Sequence, residues 1–170
     1  MQTFLPIASF DFTESASVLD NKRLNKQALE GWQIMLTLLE LDPDGNHRKP
    51  KGWVNHPAVK LWRGHEPMLW YYIMSMVHEW KSRGFKSTIG DKATKTIDIA
   101  FKHGLTNQGA GAIKGVLGSY PVWMENHDKY NQIAASHRQA LLVKNYEWYS
   151  QFHWPEDKGV TPTEYDYVWE

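Results

Sequence analysis

The stretch that decides the fold is NKRLNKQALEGWQIMLTLLEL, residues 21–41. Its apolar side chains recur at the spacing of one helix face. They are Leu24, Ala28, Leu29, Trp32, Met35, Leu36 and Leu39. A short polar side chain can cap the start, at Thr13 or Asp20, and the sequence DPDG at residues 42–45 is typical of a helix end. The stretch predicts a long helix from Asn21 to about Leu41.

Similar periodicity predicts further helices on either side of the glycine-rich part of the chain. They are residues 58–83, bent near Pro67 and closed by Gly84, residues 91–103, and residues 126–151. We expect residues 1–12 to be extended, residues 104–122 to form a loop with one helical turn, and the tail after His153 to be irregular. The predicted fold class is mainly α: a single compact helical domain over residues 1–170, with long loops.

Composition excludes several classes of protein. The chain has 170 residues and no cysteine, which excludes disulfides, thiolate nucleophiles and cysteine-ligated zinc. Its eight histidines show no metal-ligand spacing, so neither a metal nor a cofactor is predicted. No stretch approaches the length of a membrane-spanning helix, and residues 1–12 lack the basic region of a signal peptide. We expect a cytoplasmic protein that does not contact membranes.

The net charge of zero hides an uneven distribution. Residues 1–45 carry three Lys and Arg against seven acidic residues, residues 46–103 carry eleven against four, and residues 104–170 carry five against eight. Within residues 47–64 there are five basic residues and no acidic one. Such a segment either faces phosphates or is a solvated surface.

A polar stripe follows the predicted first long helix opposite its apolar face. Arg23, Lys26, Gln27 and Glu30 share it, and the line continues through Ile34. One interpretation is a solvent-facing row of ion pairs. The other is a carboxylate held among cations where DNA approaches, with Glu30 able to move protons at a sugar or base.

Seven of the nine tryptophans divide into two groups by position. Four lie at helical spacing on apolar faces and are predicted to be core: Trp32, Trp62, Trp70 and Trp80. Three lie near or beyond the last predicted helix, where they either stack on bases or pack the tail: Trp148, Trp154 and Trp169.

Three blocks, in order, carry a family resemblance. The first is LDNKRL at residues 19–24, followed by Glu30. The second is GWVNHP at residues 52–57 with KSRGF at residues 81–85, and the third is SHR at residues 136–138 followed by an aromatic cluster. Together they resemble the pyrimidine-dimer DNA glycosylase family, the phage-type endonuclease V group.

The resemblance implies an endonuclease V-like DNA repair enzyme, a glycosylase and AP lyase, that acts as a monomer on damaged double-stranded DNA without a cofactor. In such enzymes the N-terminal amine attacks C1′ of the sugar and forms a Schiff base, while a glutamate assists. The matching catalytic residues here are Glu30 and the amine of Met1. The implied nucleic-acid-binding residues are Arg23, Lys26, His56, Arg63, His137, Arg138, Trp148 and Tyr149.

The chain departs from the family pattern at three places. Leu29 and Gln33 occupy positions where the family has arginine, and we expect Leu29 to pack against the core. The bulky Gln2 disfavours removal of Met1, so the free amine belongs to Met1. Additional residues precede the helix, which leaves open whether this amine reaches Glu30.

Two other functions stay open from the sequence. One is a catalytically divergent relative that binds DNA through its basic centre, and the other is a protein-interaction module whose aromatic residues form the contact surface. Binding to phosphates weakens steeply with salt, whereas an aromatic protein interface responds little, so salt dependence separates these two.

Overall fold

The fold is built from helices, as a computed structural model of residues 2–113 and 120–169 shows. It is 57% helical and 1% strand, which confirms the predicted mainly α class. The helices are α1 (Phe12–Val18), α2 (Asn21–Leu39), α3 (Pro57–Lys60), α4 (Glu66–Ser82), α5 (Ile89–Lys102), α6 (Ala110–Ile113), α7 (Val122–Glu125), α8 (His127–Lys144) and α9 (Tyr146–Tyr149), followed by a 3₁₀ turn (Ser150–Phe152). In this part of the chain, no helix is long and apolar enough to cross a membrane.

Helix α2 begins and ends nearly where its sequence predicts. The Asp20 side chain caps it by accepting a hydrogen bond from the Arg23 N–H at 2.8 Å. The helix ends at Glu40, which adopts the left-handed conformation with φ of 53°. Of the two proposed caps, only Asp20 has this role, because Thr13 lies inside α1.

Three boundaries differ from the predictions. Helix α1 was expected as extended or capping sequence, but Asp11 accepts the Thr13 N–H and starts a helix there. The predicted helix 58–83 is two helices, α3 and α4, because the chain turns at Gly64, where φ is +78°. The predicted helix 126–151 is likewise divided, at Asn145, whose side chain caps α9.

The core lies between α2 and α4, with α1, α5 and α8 packed around them. Trp32, Trp62 and Trp70 are buried, as predicted. Trp80 is only partly buried and stacks on Phe85, with ring centroids 4.1 Å apart. Trp154 is buried, which favours tail packing over base stacking for this residue. Leu29, which was expected to pack against the core, is 38% exposed.

Helices α2 and α4 are tightly packed at Gly31. A Cβ atom built on Gly31 would lie 2.8 Å from Cγ1 of Ile73, inside the van der Waals distance. The absence of a side chain at this position therefore sets the distance between the two central helices.

We expect Gly31→Val to lower the free energy of unfolding by about 1–3 kcal/mol, because overpacking forces the two helices apart. The matched control is Gln33→Val, which introduces the same side chain at an exposed position of α2. Urea unfolding measures both. A Gly31→Val protein that is as stable as the parent would contradict the close approach, because valine has the higher helix propensity and only overpacking can lower the stability.

Candidate active site

The N-terminal segment, residues 2–7, is threaded into the protein among α2, α4 and α8. Gln2, Thr3, Phe4 and Leu5 are all at least nine-tenths buried. Backbone groups of an extended segment have no partners of their own, so the surrounding side chains must supply them. The contacts that do so also fix where the segment begins.

Gln27 supplies the contact from α2. Its side-chain oxygen accepts the Phe4 N–H at 2.6 Å and lies 2.8 Å from the Tyr72 hydroxyl. The same hydroxyl lies 3.0 Å from the Phe4 carbonyl oxygen, so its proton can be donated to either acceptor. Gln27, predicted to lie on a polar stripe, is in fact buried beneath the N-terminal segment.

His137 supplies the contact from α8. Its Nδ1 accepts the Leu5 N–H at 2.9 Å and therefore carries no proton. Burial, together with the nearby charge of Arg138, lowers the pKa of His137 to about 3, so the ring is neutral with its proton on Nε2.

The tautomer of His137 assigns the orientation of the Gln2 amide. Nε2 of the ring lies 2.7 Å from that amide. Because Nε2 donates, we assign the Gln2 amide oxygen to this contact, which also gives that buried oxygen a partner. His137 is completely buried, so its predicted contact with DNA is wrong, and it anchors the N-terminal segment instead.

Glu30 lies where this segment begins. Its Oε2 accepts the backbone N–H of Gln2 at 2.9 Å, and its Oε1 lies 3.7 Å from Nζ of Lys26. The Glu30 side chain is 14% exposed, against 68% for Lys26. The carboxylate is thus partly desolvated, next to the start of the chain and beside a solvated cation.

Glu30 and the N-terminal segment form one wall of a cleft of about 450 Å³. Its lining residues are Gln2, Phe4, Lys22, Arg23, Lys26, Gln27, Glu30, His56, Lys144, Tyr167 and Trp169. All four residues of the predicted polar stripe line this cleft, which favours the second interpretation of that stripe, a carboxylate among cations. A cleft of this size accommodates part of a nucleotide.

The cations of the cleft differ in how they are held. Arg23 pairs with Asp20 at 2.8 Å and donates a second hydrogen bond to the Lys144 carbonyl. Burial pushes the pKa of Asp20 upward, but hydrogen bonds from Arg23 and Asn145 lower it overall, so Asp20 stays ionised. Lys22, Lys26 and Lys144 are exposed and can reach phosphates.

His56 lies at the border between the cleft and the basic segment 47–64. Its Nδ1 accepts the Ala58 N–H at 3.1 Å and caps α3. Burial lowers the pKa of His56 below its ordinary value. The contact of His56 with DNA stays a prediction, and the position of His56 in the cleft lining supports it.

The other predicted binding residues lie outside the cleft. Arg63 is exposed and donates to the Val54 carbonyl. Arg138 uses its guanidinium in a bidentate pair with Glu156 and in a bond to the Pro6 carbonyl, a structural role. Trp148 is 36% exposed.

Tyr149 corrects a second prediction. It is completely buried, and its hydroxyl accepts the Asp20 N–H at 3.1 Å. It therefore supports the cap of α2 and does not touch DNA. The predicted nucleophile Met1 lies outside the described residues, and so do residues 114–119 of the segment that was predicted to be mainly loop.

Sequence reasoning missed several lining residues of the cleft. Lys22 stood in the quoted LDNKRL block without a role, and Phe4 and Tyr167 gave no chemical signal because each is an aromatic residue in an irregular segment. Trp169, a candidate stacking residue, does line the cleft.

A larger cleft, of about 650 Å³, lies at the other end of α2. Its walls include Leu38, Gly45, His47 and His103, and none of the predicted site residues. In residues 2–113 and 120–169, no three His, Asp or Glu side chains are grouped to hold a metal ion. The smaller cleft around Glu30 is therefore the better candidate, since it combines a shielded carboxylate with cations.

We expect the neutral state of His137 to make stability depend on pH. The unfolded chain binds a proton at this histidine below about pH 6.5, whereas the folded protein does so only near pH 3. The free energy of unfolding should therefore fall as the pH drops through this range, by up to about 1.4 kcal/mol per pH unit.

The variant His137→Asn tests this expectation, because an amide oxygen can still accept the Leu5 N–H but does not titrate. Urea unfolding of both proteins at about pH 7.5 and about pH 5 should show a stability difference that shrinks by about 2 kcal/mol at the lower pH. A difference that is the same at both pH values would contradict a neutral, buried His137.

Comparison with known families agrees with this geometry. A family model described as pyrimidine dimer DNA glycosylase matches residues 1–93, more than half of the chain. The matched part contains the N-terminal segment, α2 with Glu30, and His56. Comparisons with curated proteins and with solved structures gave no match. By the family match, the chain belongs to the pyrimidine dimer DNA glycosylase family.

Proposed function

We propose that this protein is a DNA glycosylase and AP lyase that acts on pyrimidine dimers in double-stranded DNA, with the N-terminal amine as nucleophile and Glu30 as the group that transfers protons. The observation that carries the proposal is the 2.9 Å hydrogen bond from the Gln2 backbone nitrogen to Glu30. It brings the start of the chain and a partly desolvated carboxylate together inside a cleft with exposed cations.

An amine suits this chemistry because it is partly neutral near physiological pH. The reference pKa of an α-amino group is about 7.7–8.0. The neutral amine attacks C1′, the glycosidic bond breaks, and the departing base takes the bonding electrons. Loss of a proton from nitrogen and opening of the sugar ring give a Schiff base, from which β-elimination cleaves the strand. The hydrogen bond from the Gln2 N–H supports the proposed role of Glu30, which is to accept and return protons in these steps.

Met1 remains the proposed nucleophile. The nitrogen beside Glu30 belongs to Gln2, and the Met1 amine is one residue away along the chain. The additional residues before α2 support this arrangement, since they form the buried segment that leads back to Glu30. The intact mass of the protein identifies the residue that bears the free amine.

DNA binding is supported by exposed cations around the cleft. Leu29 and Gln33 are both exposed, so the two positions where the family has arginine face solvent without charge. Lys22, Lys26 and Lys144 are the residues that we expect to contact phosphates in their place.

We expect Glu30→Gln to reduce nicking of UV-irradiated duplex DNA by about 10²–10⁴-fold, because the amide cannot accept a proton. Binding to the same DNA should be unchanged or tighter, since a negative charge is removed from a cleft that faces phosphates. The matched control is Glu40→Gln, at the exposed end of the same helix. Gel-based nicking and a binding titration measure the two effects.

Three results would contradict this proposal. Normal nicking by the Glu30→Gln protein would show that Glu30 has no role in the reaction. If the unaltered protein binds DNA in a salt-dependent way but does not nick it, the protein is the divergent DNA-binding relative. If it binds no DNA, the aromatic interaction module is the better description.

We expect borohydride to trap a covalent adduct between the protein and dimer-containing DNA, because it reduces the Schiff base to a stable amine. Peptide mapping should place the adduct at the N-terminus. Lys26→Met is the essential control, since the Lys26 amine also lies 3.7 Å from Glu30, and this variant should still be trapped. An adduct that peptide mapping finds on Lys26, and that is lost in Lys26→Met, would show that Lys26 is the nucleophile.

A further inference from the structure

Three aromatic rings lead from the cleft to the surface of the basic segment 47–64. Trp169 lines the cleft, and its neighbour His56 has its ring centroid 6.2 Å away. The next ring is that of Trp53, whose centroid lies 5.0 Å from the centroid of the His56 ring. The row Trp53, His56 and Trp169 therefore connects the candidate active site with an exposed loop.

Trp53 is unusual in both exposure and backbone conformation. It is 56% exposed, although an indole gains free energy by leaving water. Its φ of +66° is in the left-handed region, where a bulky residue is strained. Because the Trp53 ring is exposed and its backbone is strained, this residue contributes little to the stability of the fold. This favours a role for Trp53 in binding a ligand.

The surroundings of Trp53 define the chemistry of the partner. Residues 50–56 line a shallow pocket of about 410 Å³, which shares His56 with the cleft. A hydrogen bond also fixes the loop, because Arg63 donates to the Val54 carbonyl at 2.9 Å. Basic residues precede and follow Trp53 in the sequence, and residues 47–64 contain no acidic residue.

A flat aromatic ring among cations matches a nucleic acid better than it matches a protein. Every nucleobase has a π-face that can stack on indole, and its phosphates can approach the neighbouring Lys and Arg side chains. A protein partner would instead be expected to bring its own acidic residues, and its binding would not require an unpaired base.

We propose that residues 50–56 form a nucleobase-binding surface beside the active site, in which the Trp53 ring stacks on a base of the bound DNA. This inference rests on the proposed function, since it assigns a role to Trp53 in binding the DNA substrate. The base concerned is next to the lesion, because the aromatic row places Trp53 within a few ring widths of the cleft.

The test measures binding in the Glu30→Gln background, where no strand is cut. The probes are duplexes with 2-aminopurine beside an abasic-site analogue or within undamaged sequence. Trp53→Ala should weaken binding to the lesion duplex by about tenfold and remove the change in 2-aminopurine fluorescence. Trp53→Phe should retain most of both, because a ring is still present.

The matched control is Phe101→Ala, which removes an aromatic side chain that is 51% exposed at the end of α5 and does not line the cleft. It should bind as the parent does. Thermal unfolding should show that Trp53→Ala is as stable as the parent, because the ring is exposed and the backbone strain persists.

Two results would overturn the inference. If Trp53→Ala binds and quenches like the parent, DNA is bound but Trp53 does not stack, and the proposed function is unaffected. If the parent binds neither duplex, both the proposed function and this inference fail. Equal losses in Trp53→Ala and Phe101→Ala would also count against a specific stacking position.

Discussion

The rest of the candidate site depends on the anchoring of the N-terminal segment by His137. One neutral imidazole accepts the Leu5 N–H and donates to the Gln2 side chain, and so fixes two points of an extended segment. The backbone between them is held from the opposite side by Gln27. A chain terminus is ordinarily mobile, since ordering costs about 1–2 kcal/mol per residue in backbone entropy. Here complete burial offsets that cost, and the Gln2 nitrogen is held at Glu30.

The fold places several charged side chains around the cleft. The protein has no net charge, yet the cleft brings four basic residues next to Glu30. Of these, Arg23 is largely neutralised by Asp20, while the three lysines remain solvated. A local field of this kind attracts phosphates over the short distances at which salt does not screen it. Without net charge, the protein has little long-range attraction to DNA, so the proposed function relies on close contacts.

The sequence predicted α2, with Asp20 as one of two candidate caps, and it placed Glu30 on a polar face of that helix, because periodicity and capping are local properties. It failed where the environment of a side chain is set by distant residues. Gln27 looked like a surface residue because its helical position is polar, and only the N-terminal segment covers it. His137 lies more than a hundred residues from its partners, so no local pattern could distinguish an anchor from a DNA contact. Leu29 failed in the opposite direction, since an apolar residue at the edge of a helix face can be exposed.

The family match and the site do not end at the same place in the chain. The match covers residues 1–93, but His137, Lys144 and Trp169 come from the part beyond it. These later residues do different work: His137 fixes the N-terminal segment, while Lys144 and Trp169 form the far wall of the cleft. The first half thus contributes Glu30, the beginning of the chain and one of its anchors, Gln27, and the second half contributes the other anchor, His137, and part of the cleft lining. Differences in substrate among family members are therefore to be sought in the second half and in the loop that carries Trp53.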